Sequence, residues 1–261
     1  MFLFKEEEIN KTNFIAIFLY YCLVAFFVFY FKLNYLITLS LYFTIPSLYF
    51  FIKKPNIIKK TVLFSFLVSV PMELVFDYMG HISEAWYTPS VVGFRLLNQI
   101  PIDEFIWVFF YVLFIISFYE YFFDRDRNKK KFSSRIKYLA YILLSFLFIF
   151  SLIYLINNEL LRIKYYYIFF VIFVFITPAF FIIYKYPRIF EKIVLQSLFF
   201  LVLGIIYELS AIYAGNWYFR GEYIGWVELF SFRFPFEEFL WLLLATSAVL
   251  SVYEFFADDI K

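Results

Sequence analysis

Eight apolar runs, each close to the roughly 20 residues needed to cross a bilayer, constrain this chain more than any other feature. They lie at about 13–31, 34–52, 59–79, 101–123, 137–156, 164–184, 192–214 and 235–257. Backbone polar groups in lipid must be satisfied within their own segment, so runs of this kind become helices. The 64% hydrophobic content supports the same reading, because soluble domains are roughly half apolar. The expected class is an all-α integral membrane protein with about eight transmembrane helices. An aromatic fraction of 28%, carried by 43 Phe and 24 Tyr, has two explanations: AT-biased codon usage or an aromatic-lined pocket. No nucleic-acid partner is expected.

The charges predict orientation. One set of gaps and termini carries Lys5, Lys11, four Lys at 53–60, the basic run at 125–137, Lys185, Arg188, Lys192 and Lys261. The opposite set carries only Lys32, Arg95, Arg162, Lys164, Arg220 and Arg233. The positive-inside rule therefore puts both termini in the cytoplasm, most simply across the cytoplasmic membrane. The first run is expected to be a retained anchor, since Glu6, Glu7 and Glu8 stand where a signal peptide would be basic. Cys22 is the single cysteine, which excludes an intrachain disulfide and argues against a thiol catalyst.

The chain reads as a tandem duplication, with repeats at 1–131 and 132–261. Pro46 and Pro55 match Pro178 and Pro187 at one shared offset. Asp77 and Trp86 match Glu208 and Trp217 at another, shorter by one. Pro101, Tyr119, Glu120 and Asp124 match Pro235, Tyr253, Glu254 and Asp258 at a third, slightly longer because the second Trp-to-Pro loop is longer. Four spans per repeat give two parallel four-helix halves, related by a pseudo-twofold axis along the membrane normal, with any shared site between them.

Two near-copies of one motif carry the chemistry: Pro101-Ile102-Asp103-Glu104-Phe105-Ile106-Trp107 and Pro235-Phe236-Glu237-Glu238-Phe239-Leu240-Trp241. Pro suits a first helical position, and carboxylates in a first turn complement the helix dipole, so simple capping is one reading. The doubled acid favours another. Repulsion and partial burial favour a protonated carboxyl beside a charged one, which is a general acid with a neighbour. Phe105, Trp107, Phe239 and Trp241 would offer aromatic faces to a cation. Glu73 and Asp77, four apart on one helix face, and Glu208 sit at the same depth on the preceding spans, with Gly204 standing where a second Glu73 would be. Arg95 and Arg233 are plausible partners for these acids. Trp86 and Trp217 read either as interfacial anchors or as site lining. Tyr119-Glu120 and Tyr253-Glu254 fall at the other membrane face and read as structural. His81, the only histidine, reads as a loop residue, and one His builds neither a robust His-based metal cluster nor a Ser-His-Asp triad. No metal site is expected. The acids at Asp124-Arg125-Asp126 and Asp258-Asp259 lack the regular spacing of a magnesium-diphosphate site. Neither a phosphate loop nor a flavin or nicotinamide fingerprint is present.

An acid, a loop Trp, a Gly and then Pro-x-(Asp/Glu)-Glu-Phe opening an aromatic span, all present twice, resembles the lycopene cyclase domain, the non-flavoprotein type found as heterodimeric subunits or fused tandem domains. The resemblance covers about residues 71–125 and 202–259, with Gly93 and Gly225 in place. It implies acid-catalysed, non-redox cyclisation of a carotenoid end group: lycopene to a β-ring product, with one ring or two. The family's paired carboxylates fall on Asp103-Glu104 and Glu237-Glu238, and Asp103 is one methylene shorter than the usual Glu, which leaves the activity of the first half open. A carboxyl protonates the terminal double bond, the neighbouring alkene closes the ring, and a carboxylate removes a ring proton. No redox cofactor is required by that stoichiometry. The implied partners are the linear carotenoid, membrane lipids and other carotenoid-pathway enzymes. Other readings of the same residues are a different isoprenoid or terpene cyclase, a carotenoid hydratase, or a proton-coupled transporter.

Overall fold

The structure is a computed structural model that describes residues 11–124 and 132–258. The acidic N-terminal segment, the basic run at 125–131 and Asp126, Asp259 and Lys261 lie outside the described residues. Among the described residues, eight helices have the length and hydropathy of membrane spans, the signature of an all-α integral membrane protein: α1 Asn13–Phe31, α2 Tyr35–Lys53, α3 Pro55–Ile82, α4 Ile102–Asp124, α5 Ile136–Leu161, α6 Tyr166–Lys185, α7 Pro187–Ala214 and α8 Phe236–Ala257. The expected boundaries hold to within about five residues. The larger departures come where Pro55 and Pro187 open their helices with a tight turn, as proline at a helix start can, and where α5 runs on to Leu161.

Several spans contain a wider π-type turn: Ser40–Thr44, Glu73–Asp77, Glu120–Asp124, Val171–Ile176 and Tyr253–Ala257. Proline explains part of this. Pro46 and Pro178 follow two of these turns and Pro71 closely precedes a third. Each removes the N–H that would bond four residues back. Pro46 thereby frees the carbonyl of Tyr42, and the Tyr21 hydroxyl donates to it at 2.8 Å. Wider turns of this sort often mark functional positions, and one of them carries Glu73 and Asp77.

α4 and α8 are the most enclosed spans and touch each other at the centre. Around them the contacts come in matching pairs. α1 packs on α7 as α5 packs on α3; α2 packs on α4 as α6 packs on α8; α3 meets α4 as α7 meets α8.

At one end, short antiparallel hairpins precede α4 and α8: β1 Arg95–Leu96 with β2 Ile100–Pro101, and β3 Trp226–Leu229 with β4 Phe232–Pro235. The two loops are stitched together, since Tyr87 and Tyr218 exchange N–H···O bonds of 2.8 Å in both directions. Gly221 permits the approach, because a Cβ there would lie 2.8 Å from the carbonyl oxygen of Glu84. Pro101 and Pro235 end their strands and cap the helices from outside rather than occupying the first helical turn. Phe230 and Ser231 hold the second turn with φ of 48° and 69°, a left-handed conformation that costs a non-glycine residue about 1 kcal/mol. Ser231→Gly is therefore expected to raise the thermal midpoint of the protein in detergent, by roughly 1 kcal/mol of stability. A lowered midpoint would show that the serine contributes something the turn geometry does not.

Candidate active site

An elongated chamber of about 960 Å³ lies between α3, α5, α6 and α8, with α4 closing one side. Its walls are mostly apolar; Glu73, Asp77, Glu104, Glu208 and Glu238 all line it at the hairpin end, and Lys185 lines it at the far end of α6. Each of these carboxyls is at least nine-tenths buried. Along α8 the lining runs from Glu238 to Phe256, about 27 Å at 1.5 Å per residue. Phe146 on α5 and Phe173 and Phe181 on α6 line it while remaining largely exposed. The chamber therefore opens sideways between these two helices, at the depth of the lipid.

The structure divides each acidic pair. Glu104 and Glu238 face the chamber, whereas Asp103 and Glu237 are not brought to it. Asp103 accepts from the Ser90 hydroxyl at 2.6 Å and from the Val92 N–H at 3.3 Å. Glu237 accepts from the Ile224 N–H at 2.7 Å. Neighbouring residues on a helix point about 100° apart, so the leading acid fastens the loop to the helix start while the one after it points inward. Phe105 and Phe239 also miss the lining, and Phe239 stacks on Phe236 instead.

The tryptophans do reach the site. Trp86 donates its indole N–H to Asp77 at 2.6 Å, and Trp217 donates to Glu208 at 2.9 Å, so the shared nine-residue spacing closes the same hydrogen bond twice. Gly80 makes room for the first of these, since a Cβ there would lie 2.2 Å from the Trp86 ring. Gly80→Ala is expected to displace Trp86, to cost about 1–3 kcal/mol by overpacking and to blue- or red-shift the tryptophan fluorescence. An unchanged spectrum and melting midpoint would contradict this packing. One turn below the acids, Trp107 and Trp241 stack with ring centres 5.6 Å apart, and Tyr111 stacks on both, at 5.7 and 5.1 Å.

His81 is a correction to the sequence reading. The third helix continues past residue 79, so His81 is buried at its end rather than in a loop. Its Nε2 lies 2.8 Å from Glu104 Oε2 and 3.4 Å from Asp77 Oδ2. An i,i+4 relation to Asp77 would have signalled this, had the span been extended by three residues. The three side chains offer ligand atoms within 4.8 Å of one another, so a mixed cation site is geometrically available where a lone histidine argued against one. The close His81–Glu104 contact already satisfies two of the three. Tyr167, which donates to Glu238, was also missed, and nothing in the sequence distinguishes it among 24 tyrosines.

The arginines differ from expectation. Arg95 donates to the carbonyls of Gln99 and Thr88, at 2.6 and 2.5 Å, and Arg233 lies over Trp226 at 4.4 Å. Both brace the hairpins rather than the acids. Tyr223 braces the loops as well, accepting from the Gly221 N–H at 2.8 Å and donating to the Ala85 carbonyl at 2.9 Å. Burial pushes its hydroxyl up to about 12, which keeps it a donor at neutral pH.

At the opposite end, Tyr119 donates to Glu254 and Tyr253 donates to Glu120, a reciprocal pair across the two central helices. These residues are buried near the ends of their spans. Lys60 Nζ lies 3.4 Å from Glu120 and 2.8 Å from Asp258. Glu120, Asp124 and Asp258 also bring ligand atoms within 4.8 Å of one another, but the Lys60 ammonium already supplies a cation there.

No family model, no curated protein and no solved structure matches this chain.

Proposed function

We propose that this protein is a membrane-embedded carotenoid end-group cyclase that converts lycopene to a β-ring product by proton chemistry. One observation carries the reading: buried acids and stacked tryptophans from both halves of the chain meet at one end of a long apolar chamber that opens towards lipid. A linear hydrocarbon dissolved in the bilayer fits such a space. Water, which would trap a cation as an alcohol, is kept from it by the joined hairpin loops.

Glu238 is the proton donor in this proposal. It lines the chamber at the end where the acids gather, held there by the hydroxyl of Tyr167, so it is placed to meet the end of a linear polyene. Glu238 protonates the terminal double bond, leaving a tertiary cation. The next double bond attacks that cation and closes a six-membered ring. The positive charge passes over the faces of Trp107 and Trp241, which attract cations. Glu104, backed by His81 and Asp77, accepts a ring proton and leaves the ring alkene. One proton enters and one leaves, so the formula is unchanged and no electron carrier is needed.

The proposal includes the tandem arrangement of two parallel four-helix halves, supported by the matched helix contacts and by the repeated Trp–acid and Tyr–Glu bonds. It also places both termini in the cytoplasm. Pigment analysis of lycopene-accumulating cells expressing the chain is the test. Loss of lycopene with gain of a same-mass ringed product is expected. A product one water heavier would move the reading to a hydratase. Unchanged lycopene beside inserted, folded protein would end it in favour of another isoprenoid substrate or of transport.

A further inference from the structure

Some register pairs, such as Trp107 and Trp241, both line the chamber, but the tandem register pairs several other lining positions with residues that do not line it. On α3, Val68 and Ser69 line the chamber; their counterparts on α7 are Phe199 and Phe200. On α6, Val174 lines it; its counterpart on α2 is Tyr42. On α8, Ala248 and Val252 line it; their counterparts on α4 are Phe114 and Phe118. In these five pairs the small side chain faces the chamber and the ring does not line it.

Those rings fill the matching space. Phe114 packs on Phe200 at 5.0 Å, and Phe118 packs on Phe199 at 5.4 Å and on Phe200 at 5.1 Å. Tyr42, Phe114 and Phe118 have no exposed surface at all, and the Tyr42 hydroxyl bonds Ser210 at 2.9 Å. The titratable groups are unequal in the same sense. Glu73 and His81 sit near the open chamber, and their counterparts in the other half are Gly204 and Ile212.

We infer that the molecule keeps one working chamber, and that aromatic side chains have closed its symmetry mate. The inference rests on the tandem reading and deepens the proposed function. A linear polyene would lie along the chamber with one end at the acids and the rest towards Phe256. It presents one end per binding event, so a two-ring product requires release and re-entry in the reverse direction.

The test is the amount of lycopene retained by the purified full chain in detergent after size exclusion, read by absorbance. One molecule per chain is expected for the natural sequence. Ala248→Phe and, independently, Val252→Phe place a ring in the chamber and are expected to lower retention at least tenfold, with elution and melting used to confirm folding. Two molecules per chain, no retention by the natural sequence, or full retention by a folded variant would overturn the inference. Retention of one lycopene that both variants abolish, with no ringed product, would sink the cyclase reading and leave the single chamber standing. Where turnover occurs, the one-ring product is expected to accumulate before the two-ring product. Immediate formation of the two-ring product would contradict one end per visit.

Discussion

Glu238→Gln is expected to lower the rate of lycopene conversion by roughly 10²–10⁴-fold, the contribution usual for a positioned general acid. The amide keeps the size of the side chain and can still accept the hydrogen bond of Tyr167. Folding should therefore survive, and lycopene retention should change by less than about threefold, since removing a proton donor acts on the barrier rather than on ground-state binding. Glu104→Gln is expected to be similarly slow for a different reason, because it removes the acceptor and leaves His81 facing an amide. Asp103→Asn and Glu237→Gln are the contrast. Their carboxyls hold loop groups and do not line the chamber, so these changes should act mainly on stability. If Glu237→Gln were the slower enzyme of the two Glu-to-Gln variants on α8, the division of each acidic pair would be mistaken.

Lys60→Met carries the largest expected loss of stability, about 3–5 kcal/mol. Its ammonium lies between Glu120 and Asp258 in a site where both partners are nearly inaccessible. Removing it takes away the ammonium that lies against both Glu120 and Asp258. The pairing itself is not what makes the protein stable, since two charges had to be dehydrated to form it. Restoring balance should therefore recover part of the loss: Lys60→Met combined with Asp258→Asn is expected to melt above Lys60→Met alone. A double variant no better than the single would show that packing of the lysine stem, rather than its charge, matters at this place.

Much of the scaffold was legible because membrane spans follow from one-dimensional hydropathy. Lipid leaves the backbone few alternatives to a helix, and the eight runs needed no knowledge of their neighbours. The recurrence of Trp nine residues after an acid was legible too, and the bonds Trp86–Asp77 and Trp217–Glu208 give it a physical cause.

What was not legible depends on direction and on distant partners. Whether Asp103 or Glu104 faces the chamber is a matter of about 100° of helix rotation, set by where the hairpin docks. The hairpins themselves carry weak signals. The turn at Phe230-Ser231 contains none of the Asn or Gly that its left-handed backbone normally calls for. His81 was lost to a boundary three residues short, and Tyr167 bonds an acid 71 positions away. The burial of Lys60 could not be read either, because a lysine near a helix start in a basic stretch looks like a solvated interfacial charge.

Heavy water offers the most direct test of the central claim, that a proton is delivered by one buried group and removed by another. Purified protein in detergent would be given lycopene in deuterium oxide and the product weighed by mass spectrometry. Delivery from a solvent-reloaded Glu238 and removal by Glu104 predict one deuterium for each ring formed. A ringed product carrying no deuterium would contradict the account, because a single group would then have to recycle the same proton.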